Sequence, residues 1–271
     1  MEKLILTCAI TGAETTKAQN SVLPTTPEEQ AQAAYDCWKA GASIIHLHVR
    51  DDNGKPTQSV ERFEDTITRI RKKCPVIIQI STGGAVGEKI EKRAEPLRLK
   101  PEMASLNVGS INFGDEVFVN LPKDVEMLAQ KMKEYSIKPE IEVYDYGMLE
   151  YGVKLVKKGI IGSPTHFQFV MGTGHGISGE GGNLAMMVKA IPDGCSWTAA
   201  GIGRYQLPIS AQAITMGGHV RVGLEDNVFW SKGVLAKSNA QLIERAVQLA
   251  EMLQRPVANV DETKKILGLK L

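Results

Sequence analysis

Few features of this chain are extreme, and the shortages are informative. Its four cysteines (Cys8, Cys37, Cys74 and Cys195) lie far apart with no C-x-x-C pair, so they read as reduced core residues of a cytoplasmic protein. An excess of one charge is also missing. With 32 basic and 31 acidic residues the net charge is +1, and no basic block or aromatic-basic interleave occurs, which argues against a nucleic-acid partner. No apolar run reaches membrane-spanning length, and Met1-Glu2-Lys3-Leu4-Ile5-Leu6 leads directly into a strand rather than a signal peptide. No linker or low-complexity tract divides the 271 residues.

What is present is alternation. Short apolar, β-branched runs at Lys3–Ile10, Ile44–Arg50, Val76–Ser81, Met103–Val108, Glu140–Tyr144, Thr165–Val170, Ser196–Ala200 and His219–Leu224 read as strands. Amphipathic stretches separate them. The first opens at Thr26-Pro27-Glu28-Glu29, with Thr26 as N-cap and Pro27 in the first turn. The others are Ser59–Lys73, Gly87–Leu97, Lys123–Tyr135, Met148–Lys158, Asn183–Ala190, Pro208–Met216 and Asn239–Gln254. Eight strands alternating with eight helices predict one (β/α)8 TIM barrel domain over residues 1–271, with a short helical tail at Asp261–Leu267.

In such a barrel the active site lies at the C-terminal ends of the strands, and that is where polar residues gather here. His46 and His48 alternate onto one face of strand two, away from Ile45 and Leu47. Buried imidazoles need partners. A metal ion suits i, i+2 spacing, and two core histidines bonded to backbone or carboxylate are the plainer alternative. On strand eight, alternation puts Arg221, Gly223 and Glu225 on one face, and a closed barrel brings strand eight to strand one and so near strand two. His46, His48 and Glu225 would leave an open coordination position, as a catalytic zinc requires. Asp226, at the strand end, suits a base rather than a ligand. Arg221 could equally be the ion-pair partner of Glu225 or Asp226.

The segment Met171–Asn183 is rich in glycine, and Gly174, Gly176 and Gly179 satisfy G-x-G-x-x-G. A dinucleotide fingerprint should open a helix at once and meet an acidic residue at the end of the next strand, where this chain has Ala199-Ala200-Gly201. A Rossmann reading is rejected. A loop over the barrel mouth, touching a phosphorylated cofactor through backbone N–H groups, is expected instead, with His175 a solvated loop residue.

Taken together, Thr-Gly-Ala-Glu14, Ile-His-Leu-His-Val-Arg, Ile-Ser-Thr-Gly-Gly, Met-Ala-Ser-Leu-Asn-Val-Gly-Ser and Arg-Val-Gly-Leu-Glu-Asp-Asn resemble the β-keto acid cleavage enzymes, from Leu4 to about Leu267. The resemblance implies a zinc barrel, a homotetramer, that takes a β-keto acid and acetyl-CoA to acetoacetate and a new acyl-CoA. By that resemblance His46, His48 and Glu225 bind Zn2+. Ser81, Gly84, Ser105 and Asn107 hold the keto acid, Glu14 lies near an amino group on it, and Arg221 and Asp226 serve proton transfer. Two positions depart from the family pattern: Ser105 stands where threonine is expected, keeping the hydroxyl, and the 172–183 loop is richer in glycine.

The chemistry agrees with these residues. Zinc can stabilise the enolate of a β-keto acid, Asp226 can take the C2 proton, and no protein nucleophile is needed, which fits the absence of cysteine among the strand-end polar residues. Glu14 can accept an ammonium, or be a charge partner of Lys17 or Arg50. Two rivals remain. One is another zinc barrel, an aldolase or an amidohydrolase; amidohydrolases carry H-x-H on the first strand, and His166 and His219 sit too early on their strands to join this pair. The other is a non-catalytic barrel that senses a small acid.

Overall fold

The computed structural model describes residues 2–270. Eight parallel strands close into a barrel: β1 (Leu6–Ala9), β2 (Ile44–Leu47), β3 (Ile77–Ile80), β4 (Met103–Asn107), β5 (Lys138–Val143), β6 (His166–Met171), β7 (Ser196–Gly201) and β8 (His219–Val222). Each pairs with its sequence neighbours, and β8 closes on β1 with Thr7 opposite Arg221. The expected TIM barrel is the observed architecture, because each of the eight barrel strands is followed by a helix before the next one begins.

Those helices are α1 (Pro27–Ala40), α2 (Val60–Lys73), α3 (Ile90–Ala94), α4 (Pro122–Glu134), α5 (Tyr146–Lys157), α6 (Gly181–Ala190), α7 (Gln206–Met216) and α8 (Asn239–Met252), followed by α9 (Val260–Leu267). Thr26 and Glu29 form a capping box on α1 with Pro27 in the first turn, so the N-cap read from sequence is present. The helix expected over Gly87–Leu97 is shorter. It is α-helical only from Ile90, and a 3-10 turn takes over at Glu95–Leu99, where Pro96 cannot donate its share of the ladder. The tail helix α9 starts one residue earlier than expected and closes the barrel floor: Val260 and Leu267 pack with Ile5, Ile44, Ile77 and Met103. Each such fully buried aliphatic side chain contributes about 1.5–3 kcal/mol.

Above that floor the barrel interior turns polar. Thr7, His46, Gln79, Ser105, Glu140, His166, Gln168 and Arg221 are all buried, on the faces that alternate away from the helices. Two strands end more than one residue sooner than their sequence suggests. The run Ile44–Arg50 breaks at His48, whose carbonyl accepts from Gln30 Nε2 at 2.6 Å, and Val49–Arg50 then pair antiparallel with Pro56–Thr57. Strand eight stops at Val222 instead of running to Leu224. Gly223, at φ +150°, turns the chain there, and a Cβ on it would lie 2.1 Å from the Ala9 carbonyl oxygen, so no other residue fits.

Candidate active site

The turn after β8 decides the site. Asp226 N and Asn227 N both bond back to Gly223 O, while Glu225 N reaches Ala9 O across the barrel seam at 3.2 Å. Glu225 therefore leaves the strand and arrives beside the histidines through this turn, not through the strand alternation expected from the sequence. Gly12 makes room for it. A Cβ there would sit 2.6 Å from Glu225 Cγ, and its φ of +70° also favours glycine.

His46 Nε2 and His48 Nε2 lie 3.6 and 3.7 Å from Glu225 Oε1. Burial lowers the pKa of both imidazoles, His48 to about 4, against the opposing pull of Glu225. Both rings are thus neutral at physiological pH, and the contacts to Glu225 are not ion pairs. His46 Nδ1 meets Gln79 Oε1 at 2.7 Å, which assigns the proton to Nδ1 and leaves the Nε2 lone pair facing Glu225. Burial alone would raise the Glu225 carboxyl, but the Arg221 guanidinium beside it brings it down to about 2.

The three side chains offer one ligand atom each within 4.8 Å of one another, and they fit a metal ion. Glu225 Oε2 is buried with no hydrogen-bond partner, the signature of an oxygen awaiting a cation. The local charge points the same way. Arg221 is the guanidinium that pairs with both Glu225 and Asp226, so one positive charge faces two carboxylates there.

Arg221 holds Asp226 in a bidentate pair, Nε to Oδ2 at 2.9 Å and Nη2 to Oδ1 at 2.8 Å, and Nη2 also reaches Glu225 Oε1 at 2.6 Å. Both ion pairs considered for Arg221 from the sequence are therefore present. Burial raises Asp226 to about 6 despite Arg221, with Glu225 adding to the rise.

These groups line a cavity of about 330 Å3 at the C-terminal mouth of the barrel, with Glu14, Ser81, Gly84 and Asn107 on its walls. Asn107 Oδ1 is buried without a partner, and the Ser81 hydroxyl accepts from Gly83 N at 3.1 Å. Ser105 does not reach the cavity. It is fully buried and its Oγ accepts from Thr82 N at 3.2 Å, so its hydroxyl supports the wall from behind. Glu14 is exposed on the cavity rim. Neither charge partner considered for it forms among the described residues: Lys17 pairs with Glu29, and Arg50 spends its donors on the carbonyls of Gly12, Thr15 and Gly54. His166 and His219 lie deeper, as expected, with His166 Nε2 3.3 Å from Glu140.

Sequence reasoning gave Glu142 no role, although Glu140 and Glu142 alternate on one strand and so share its inner face. Glu142 lines the cavity, accepts from Tyr144 Oη at 3.2 Å and stands 3.7 Å from Arg221 Nη1. Burial raises its pKa from 4.5 to about 7, against Arg221. A raised folded pKa attaches stability to the protonated form. That stability is fully present below about pH 4.5 and is lost as pH rises through about 7. Glu142→Gln, a neutral isostere, is expected to match the parent's Tm near pH 5 in metal-free protein and to exceed it by roughly 5 °C near pH 8. Melting curves at the two pH values check this, and an equal Tm difference at both would show that Glu142 does not titrate in that window.

A (β/α)8 barrel with two neutral histidines, one carboxylate and an adjacent Arg–Asp pair at its mouth defines a barrel enzyme with a candidate metal site. Residues 3–269 match the family model described as beta-keto acid cleavage enzyme. The chain is 53% identical over 272 residues to the 3-keto-5-aminohexanoate cleavage enzyme of Fusobacterium nucleatum, covering 100% of this chain and 99% of the relative. It is 51% identical to the enzyme of the same name from Acetoanaerobium sticklandii, with 99% of both chains covered. The 3-oxoadipate:acetyl-CoA acetyltransferase of Cupriavidus necator is 42% identical, over 98% of this chain and 94% of that one. Among solved structures, the ternary complex of ObcA with a C4-CoA adduct and oxalate superposes with a TM-score of 0.82 over 92% of this chain and 68% of the other, at 17% identity, a likeness of fold. The chain belongs to the beta-keto acid cleavage enzyme family.

Proposed function

We propose that this enzyme uses zinc to convert 3-keto-5-aminohexanoate and acetyl-CoA into acetoacetate and 3-aminobutyryl-CoA, a step of lysine fermentation. The observation that carries the reading is the placement of His46, His48 and Glu225 beside the Arg221–Asp226 pair, in one cavity with Glu14 on its rim. The names of the relatives at 53% and 51% identity support the substrate, and that of the acetyltransferase supports acetyl-CoA. Assembly as a homotetramer and a cytoplasmic location belong to the same reading. Among the described residues no helix is long and apolar enough to cross a membrane.

A zinc ion on the triad would supply Lewis acidity to the keto oxygen, easing loss of a C2 proton. The protein's own groups do the rest. Asp226, with a pKa of about 6, is ionised at neutral pH yet basic enough to take that proton, and Arg221 holds its carboxylate in a fixed orientation. C2 then attacks the thioester carbonyl, the C–S bond breaks and CoA leaves as thiolate. The thiolate adds to the C3 carbonyl, and the C2–C3 bond breaks. Its electron pair stays on C2 of the leaving acetoacetate, which recovers a proton. No acyl-enzyme is required, and among the described residues no cysteine lines the cavity. Ser81 Oγ and Asn107, on the wall, are the donors and acceptors available to the substrate carboxylate.

The test is acetoacetate formation by zinc-loaded protein from acetyl-CoA and a panel of β-keto acids. Turnover without CoA would sink the reading in favour of an aldolase, and no turnover of any panel member would favour a sensor. Glu14 sharpens the assay. Breaking an ammonium–carboxylate contact at an exposed carboxylate costs up to about 1 kcal/mol, or a few-fold. Glu14→Gln is therefore expected to lower kcat/KM for 3-keto-5-aminohexanoate by that order and to spare an uncharged keto acid of similar length. Equal losses on both substrates would remove Glu14 from amine recognition.

A further inference from the structure

The catalytic cavity continues, on its Glu14 side, into a second hollow of about 670 Å3. The two share Ala13, Glu14, Val86 and Phe113, so they meet at a common neck. Beyond the neck the walls combine the small residues Gly54, Pro56, Ala85 and Gly114 with Thr16, Arg50, Asp115 and Glu116, and Lys55 is exposed at the edge. Arg50 braces the slot, because one guanidinium bonds the carbonyls of Gly12 and Thr15 on one bank and of Gly54 on the other.

We propose that this slot receives the pantetheine arm of coenzyme A and delivers its thioester to the cavity past Glu14 and Phe113. The inference rests on the reading of acetyl-CoA as second substrate. The thioester carbon must reach C2 of the keto acid inside the cavity, so the arm needs a passage continuous with it. A narrow, flexible chain suits a slot in which Gly54, Pro56, Ala85 and Gly114 leave little side-chain bulk in the way. The acidic residues Asp115 and Glu116, where the chain turns between the antiparallel runs Ile111–Phe113 and Glu116–Phe118, also line the slot, which leaves the Lys55 edge for the coenzyme's diphosphate.

The opposite side of the mouth is filled. The glycine-rich segment, expected from sequence to meet a phosphorylated cofactor, packs down instead. A Cβ on Gly172 or Gly179 would lie 2.4 or 2.3 Å from ring atoms of Tyr205, and one on Gly176 would lie 2.4 Å from Tyr144 O. Ile177 N bonds that same Tyr144 carbonyl at 2.7 Å, and Gly172 N bonds Ile177 O at 2.9 Å. The glycines there serve close packing onto the barrel, with one backbone N–H spent on that contact and another on a bond within the loop.

Two variants of the zinc-loaded enzyme test the slot, each assayed with acetyl-CoA and with S-acetylpantetheine, which lacks the diphosphate. Ala85→Trp fills the passage. Its KM should rise at least about tenfold for both thioesters, while KM for the keto acid and C2 deuterium exchange without thioester stay at parental values. Lys55→Glu, at the exposed edge, should raise KM roughly three- to fivefold for acetyl-CoA alone and leave S-acetylpantetheine unaffected. Parental KM values for both thioesters in Ala85→Trp would overturn the slot, as would a loss in Lys55→Glu shared by both thioesters. If Ala85→Trp fails to fold or to bind zinc, the Lys55→Glu pair of assays decides alone. Absence of acetyl-CoA dependence in the parent enzyme would instead overturn the functional reading, and the slot with it.

Discussion

Asp226→Asn is expected to retain zinc and to slow solvent deuterium exchange at C2 of the keto acid by at least about a hundredfold. Asparagine keeps the shape and one oxygen facing Arg221 but cannot accept the proton. The magnitude is large because the carboxylate is fully buried, so bulk water does not replace it, and because two bonds from Arg221 hold it in place. A pH signature accompanies the loss. A base with a pKa of about 6 is active when deprotonated, so the parent's exchange rate should fall as pH drops through 6, and the variant should lack that limb. Exchange at the parental rate with diminished turnover would assign the base elsewhere. Glu142, on the same cavity wall with a pKa of about 7, is the next carboxylate to test.

His46→Ala should lose metal and activity together. Of the roughly 10 kcal/mol or more with which protein sites hold zinc, one ligand of three accounts for about a third, several hundredfold in affinity. Gln79→Ala provides the graded comparison. Among the described residues the one side-chain hydrogen bond of Gln79 is to His46 Nδ1, where it fixes which nitrogen faces the ion, so its removal should weaken zinc by about ten- to a hundredfold while leaving the ligand set intact. Competition with a chromogenic chelator measures both affinities independently of turnover. Full zinc occupancy in His46→Ala would falsify the ligand assignment. A Gln79→Ala protein that binds zinc as weakly as His46→Ala would mean that the imidazole's orientation, and not its presence, dominates the affinity.

How much of this was legible beforehand varies residue by residue. His46 and His48 could be paired from spacing alone, since alternation along an apolar strand places both on one face whatever surrounds it. Thr26 and Pro27 announced α1 through local hydrogen bonding that needs no tertiary partner. Glu225 was named for a reason the fold does not use: Gly223 ends the strand before alternation could carry Glu225 inward. Ser105 carries the right hydroxyl on the right strand, yet it supports the wall from behind, because the cavity's depth at β4 depends on Thr82 lying over it. Glu142 escaped notice because a glutamate on a strand is ordinarily solvated, and only barrel closure buries this one beside Arg221.

By itself, then, the sequence determined the eight-fold alternation, the barrel it implies, the family and the histidine pair. Each of these is written in short-range periodicity or in motifs that keep their spacing. Only the tertiary structure decided that Glu225 meets the histidines through a turn admitted by Gly12 and Gly223, that Arg221 clasps Asp226 from two sides, and that the glycine-rich segment packs against Tyr205 while a slot opens beside Glu14. Those contacts join residues up to some two hundred positions apart, as Thr15 Oγ1 on Glu225 O does. Their distances are set by barrel closure and by how closely two backbones can approach, and no local pattern along the chain encodes either.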